Sequence, residues 1–224
     1  MNTSPRELWL RALQVIETTM SWLIHDDVPT LLAIDAPLGW PAALSVGLAK
    51  HLAGEEITTE PNSMFRRYTD RFIQERIGKT PLDVGADRIA RTAHSALSLL
   101  GALRRRLNYN IPLAWSQDDC RRISAIEVYP AATLRAHSIN TKGYKKRSNL
   151  AERDAMIERL HSLASFPEHI EVLRDSVDAL DAVVCLVAGA DFLQGLAMPP
   201  SDLALAKQEG WIWVSSRAVG RTLE

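Results

Sequence analysis

Four carboxylates stand out by where they fall in the chain. Asp35 closes the apolar run Thr30-Leu31-Leu32-Ala33-Ile34, and Pro37 follows at once. Glu127 sits in a second such run, Ile123-Ser124-Ala125-Ile126, with Pro130 three residues on. Asp178 and Asp181 are three apart, a spacing that puts both on one face of a helix. Converging carboxylates repel and cannot all stay ionised without a cation. Their hard oxygens suit Mg²⁺ or Mn²⁺. A pair of such ions would activate water and stabilise the leaving oxygen in phosphodiester cleavage. Each acid also has a plainer reading. Asp35 can form a turn, and Glu127 can have a salt-bridge partner. Asp178 and Asp181 can complement a helix macrodipole if that helix begins near Asp175 or Ser176.

Basic residues supply candidate phosphate contacts. Arg66, Arg67, Arg71 and Arg76 recur on a helix that also holds Asp70 and Glu75, so local ion pairs compete with a phosphate-facing role. Lys142, Lys145, Lys146 and Arg147 share a loop with Gly143 and Tyr144, the best candidate for a nucleic-acid clamp. Arg66, Arg67, Tyr144, Lys145 and Lys146 are the substrate-binding candidates. The six histidines are scattered without metal-ligand spacing, and no Gly-rich phosphate loop or serine nucleophile motif is present. Trp211 and Trp213 suit the core better than a stacking platform.

These residues need elements to hold them. Thr30–Asp35 and Ile123–Tyr129 are apolar on both faces, as central strands covered by helices are. Gly210–Val214 gives a third strand. Helices are predicted from Thr3 or Ser4 to about His25, over Pro41–Ala53, Asn62–Gly78, Val84–Leu107, Ala131–His137 and Leu150–Leu163. A continuous apolar stripe then runs from Ile170 to Val187, followed by a short helix over Leu203–Gln208. Few strands separated by helices predict a three-layer α/β fold with a small sheet, one domain over residues 1–224.

Composition fits this. The chain has 224 residues, 46% hydrophobic and 24% charged, with a net charge of -1. Bulk charge therefore does not draw it to nucleic acid. No apolar run reaches the roughly 18 residues of a membrane span, and no signal peptide is visible, so a cytoplasmic location is expected. Cys185 lies in an apolar run and is expected to be a buried free thiol.

Several stretches, taken in order, resemble the predicted nucleases of RNase H-like fold grouped as domain of unknown function 429. They are Ala33-Ile34-Asp35-Ala36-Pro37-Leu38-Gly39-Trp40-Pro41, Arg66 to Arg71, and Glu127-Val128-Tyr129-Pro130-Ala131. Tyr144-Lys145, Asp178-Ala179-Leu180-Asp181-Ala182 and Glu209-Gly210-Trp211-Ile212-Trp213-Val214 follow. The helical Asp178-x-x-Asp181-Ala182 is also similar to the last acidic motif of RuvC-type resolvases. The resemblance implies metal-dependent hydrolysis of nucleic acid. Asp35, Glu127, Asp178 and Asp181 would be the catalytic acids, and Asp35, Glu127 and Asp181 would be ligands to Mg²⁺ or Mn²⁺. The chain departs from the pattern at its start. RNase H-like domains open with a three-stranded meander whose first strand carries a catalytic Asp, and no such strand precedes Asp35. An N-terminally short form would expose a sheet edge for a homodimer partner to cover. A catalytically decayed member that binds nucleic acid or protein, and a hydrolase of a small phosphorylated metabolite, are the alternative functions.

Overall fold

The computed structural model describes residues 14, 18, 28–85, 87–120, 122–146, 149–165 and 170–218. The predicted first helix lies almost wholly outside them. At the centre are two parallel strands, β1 (Thr30–Ile34) and β2 (Ile123–Glu127), in register from Thr30 opposite Ile123 to Ile34 opposite Glu127. Every residue of β2 is buried. Its outer edge is occupied by single parallel bridges from Leu113 to Ala125 and from Ile212 to Glu127. The segment 210–214 is thus an extended cover rather than the predicted strand. Trp211, Ile212, Trp213 and Val214 are all buried, so the segment lacks the one-sided burial of a surface strand.

The helices are α1 (Ala42–Leu48), α2 (Pro61–Phe65), α3 (Tyr68–Ile77), α4 (Asp87–Leu107), α5 (Pro130–Ala136), α6 (Leu150–His161), α7 (Ile170–Asp175), α8 (Val177–Leu193) and α9 (Leu203–Glu209). α4 packs on one side of the sheet through Leu100 and Leu103, which share a cluster with Leu32 and Ile34. α8 packs on the other, where Cys185, Ala188 and Phe192 meet Leu31, Ala33 and Trp213. The result is a mixed α/β architecture with a small parallel sheet between helices. No helix among the described residues is long and apolar enough to cross a membrane.

Two predicted helices are broken, each at a capping group. The stretch Asn62–Gly78 divides into α2 and α3 because Arg66 and Arg67 turn extended and the Asp70 carboxylate caps the backbone N–H of Arg67 at 2.9 Å. The stripe from Ile170 divides at Ser176, whose hydroxyl accepts from the N–H of Ala179 at 3.2 Å. The helix predicted over Pro41–Ala53 ends at Leu48.

Candidate functional site

β1 and β2 run parallel, so their carboxyl ends lie side by side; β2 ends in Glu127, and Asp35 follows the last residue of β1. Ligand chemistry in open α/β sheets gathers at this end. Glu127, the last residue of β2, is buried, 4% exposed. Arg67 meets it fork to fork, donating from Nη1 to Oε2 at 2.8 Å and from Nη2 to Oε1 at 2.7 Å. The N–H of Leu38 donates to Oε2 at 2.9 Å. The same guanidinium also donates to both oxygens of Asp70.

Burial pushes the Glu127 carboxyl up, while the Arg67 charge and hydrogen bonds pull it back. Burial alone would lower the guanidinium, and the carboxylates of Glu127 and Asp70 overcome this and raise it. A guanidinium does not deprotonate in proteins, so the pair is ionised.

Two glycines let the chain close around this pair. Gly210 has φ +86°, and a Cβ there would stand 2.9 Å from Glu127 Oε2 and 3.1 Å from Arg67 Nη1. A Cβ on Gly39 would overlap the carbonyl oxygen of Glu209. The side chain of Glu209 is buried as well and accepts from the N–H groups of Ala42 and Tyr68. It therefore ties α9 to the starts of α1 and α3.

Asp181 anchors a second polar group. It is 7% exposed on α8, one helical turn beyond the cap at Ser176. Tyr144 donates its hydroxyl to Oδ1 and Lys145 its ammonium to Oδ2, both at 2.8 Å. Burial, then the Asp181 charge, raises the Tyr144 hydroxyl well above its usual range, so it stays a donor. The basic loop is held in place from below. Buried Arg153 on α6 donates to the carbonyls of Tyr144 at 2.7 Å and Arg174 at 2.6 Å. Lys145 keeps a side chain that is 59% exposed.

Asp35 stands between these groups, one residue beyond β1. It lines two adjoining cavities. One, of about 430 Å³, also touches Glu127, Tyr129, Tyr144 and Lys145. The other, of about 630 Å³, also touches Asp178 and Asp181. Asp35 is exposed by surface area, yet its surroundings partly desolvate the carboxyl. Partial burial and the neighbouring Asp181 carboxylate push it up to about 6, against the pull of Lys145. Asp178 is exposed in the first turn of α8, where the macrodipole favours an acid.

The predicted site residues therefore separate. Asp35, Asp178 and Asp181 share one cavity, and Tyr144 and Lys145 line the adjoining one. Arg67 faces inward and serves Glu127. Arg66 lies outside this cluster and pairs with Asp83 at 3.0 Å. Lys146 is exposed on the loop. Trp211 and Trp213 are buried among Tyr68, Phe72 and Phe192, in the core rather than on a platform. Cys185 is a buried free thiol. In the sequence Asp70 reads as a local ion-pair partner and Glu209 only as part of a family stretch. The Arg67-x-x-Asp70 capping spacing is a usable signal for the buried role of the first, and nothing local marks the bonds that the second makes to Ala42 and Tyr68.

The chain matches the model of a family described as a protein of unknown function, DUF429, over residues 6–204. It belongs to the DUF429 family. No curated protein and no solved structure matches it. In this DUF429 member the donor chemistry for a divalent cation divides in the same way as the residues. Glu127 does not fit, because Arg67 and Leu38 already engage its oxygens. Asp35, Asp178 and Asp181 offer hard oxygens in one place and fit by type. As arranged, no three His, Cys, Asp or Glu among the described residues are set to hold an ion. The Lys145 ammonium lies on Asp181 instead.

Proposed function

We propose that this DUF429 protein is a metal-dependent hydrolase of phosphodiesters, with nucleic acid as its substrate, built on an RNase H-like fold. The observation that carries this reading is the placement of Asp35 and Asp181 in one cavity at the carboxyl end of β1, where the Asp181 carboxylate raises the cost of charge on Asp35. Adjacent parallel strands with acids at their carboxyl ends, and the Asp178-x-x-Asp181 face of α8, support the fold assignment. Asp35, Asp178 and Asp181 would hold Mg²⁺ or Mn²⁺, and Glu127 would act only by fixing the end of β2. The ion, when bound, supplies an acidified water and charge for the leaving oxygen. The protein's own contribution is positional. Tyr144 fixes the Asp181 carboxylate, the Arg67–Glu127 pair fixes the strand ends, and the basic loop brings Lys145 and Lys146 to the phosphate side.

The test is cleavage of labelled single-stranded DNA and RNA with and without Mg²⁺ or Mn²⁺. Cleavage that needs the ion and is lost in Asp35→Asn supports the reading. No cleavage by the wild-type chain on either substrate contradicts it. A second reading, a non-catalytic nucleic-acid binder, draws on the neutralisation of Glu127 by Arg67 and of Asp181 by Lys145. Salt-steep binding without cleavage would favour it.

A further inference from the structure

The cavity of about 430 Å³ beside Asp35 is lined by polar and apolar residues together. Of its charged groups, Arg67, Asp70 and Glu127 are buried and bonded to one another, which leaves Asp35, Lys79 and Lys145. Its apolar lining includes Pro37, Pro81, Leu82 and Ile89. Leu82 is 68% exposed, a large apolar side chain left facing solvent over a concave surface. From the apolar lining and the two lysines we infer that this cavity binds a single unpaired nucleotide, base against Pro81 and Leu82 and phosphate toward Lys145 and Lys79.

Size and chemistry narrow the occupant. The volume lies at the lower end of the roughly 300–1,000 Å³ of small-ligand sites. It has room for one nucleotide but not for a paired one still stacked in a duplex. A sugar phosphate would press hydroxyls against Pro81 and Leu82 and leave them without partners, which is costly. A nucleobase presents a flat face that apolar side chains cover without penalty, as enzymes that take a nucleotide out of its stack do. Lys145 donates to Asp181 and lies 5.4 Å from the centroid of the Tyr144 ring, and an ammonium carries three protons, so it can also donate to a phosphate oxygen. The substrate class follows from this: single-stranded or frayed nucleic acid, read one nucleotide at a time.

This inference rests on the hydrolase reading for its substrate but not for its test, because binding can be measured without the ion. Titration calorimetry of the full chain in EDTA would compare AMP, adenosine and ribose 5-phosphate. AMP should bind most tightly, adenosine more weakly, and ribose 5-phosphate at least tenfold more weakly than AMP. Leu82→Glu changes an exposed side chain and should keep the circular dichroism spectrum while weakening AMP tenfold or more. Lys145→Ala should weaken AMP but leave adenosine unchanged. Absence of AMP binding, equal binding of ribose 5-phosphate, or an unaffected Leu82→Glu variant overturns the proposal. AMP binding without any Mg²⁺-dependent cleavage keeps this pocket and sinks the hydrolase reading. Cleavage without AMP binding does the reverse.

Discussion

The Lys145 ammonium lies 2.8 Å from Asp181 Oδ2, and Asp181 shares a cavity with Asp35 and Asp178. It is the cation nearest to hand for these acids. Its side chain is 59% exposed, so it can leave for solvent at small cost, unlike the buried Arg67 beside Glu127. The two acid–base pairs near the strand ends therefore differ in kind. One is fixed architecture and the other is exchangeable.

Lys145→Gln tests the exchangeable pair. Lys145 lowers the Asp35 carboxyl, so its removal should move the Asp35 titration above about 6. Carbon-detected NMR of the Asp35 side chain would follow the shift. An unchanged midpoint would mean that Lys145 does not act on Asp35 in solution.

Arg67 tests the fixed pair. Arg67→Met leaves Glu127 and Asp70 buried without their common partner, and breaking a buried pair from one side costs about 3–5 kcal/mol. Urea denaturation should show a loss of that order. Arg67→Lys should also destabilise, because an ammonium cannot reproduce the two-pronged contact. A loss below about 1 kcal/mol, the range of a surface pair, would contradict the structural role given to Arg67.

Gly210 should resist substitution for two separate reasons. Its φ is +86°, and an added Cβ would meet Glu127 Oε2 and Arg67 Nη1. The backbone strain alone is of order 1–3 kcal/mol. Gly210→Ala should therefore lower the melting temperature clearly, whereas Gly54→Ala, at φ +90° with nothing within 4 Å of its Cβ, carries only the strain. Equal effects at the two positions would show that crowding at Glu127 is unimportant.

The pH dependence of stability follows from Asp35. Its folded carboxyl titrates at about 6 against 3.8 unfolded, so between these values the folded state holds more protons. Stability then falls as pH rises through this window, and Asp35 destabilises the folded state fully only above about 6. Asp35→Asn should raise the melting temperature at pH 7.5 and leave it unchanged below pH 3.8. Thermal unfolding at both ends of the window checks the sign. A variant less stable than wild type at pH 7.5 would contradict it.

Much of the framework was legible in the sequence, for physical reasons that can be named. β1 and β2 are apolar on both faces, the pattern of a parallel strand between helices; β2 is buried throughout, whereas β1 is only half-buried. Asp35 and Glu127 could be placed at the strand ends from the prolines that follow. What could not be read was which acid would acquire a partner. Arg67 lies 60 residues before Glu127, and a helical spacing shared with Arg66 and Arg71 disguised it as part of a solvated face. The break at Ser176 was hidden by an apolar stripe that keeps its phase through the cap. The covering segment 210–214 resembled a strand because its residues are apolar. Burial on all sides explains that composition equally well, and only the tertiary fold separates the two.

The central proposal is that Asp35, Asp178 and Asp181 would come together on a divalent cation once Lys145 leaves Asp181. Titration of the chain with Mn²⁺, followed by the electron paramagnetic resonance signal of the free ion, tests it most directly. The account predicts saturable binding that Asp35→Asn and Asp181→Asn each weaken tenfold or more, that Glu127→Gln leaves within about threefold, and that Lys145→Gln tightens. No saturable binding, or binding lost in Glu127→Gln but kept in Asp35→Asn, would contradict it.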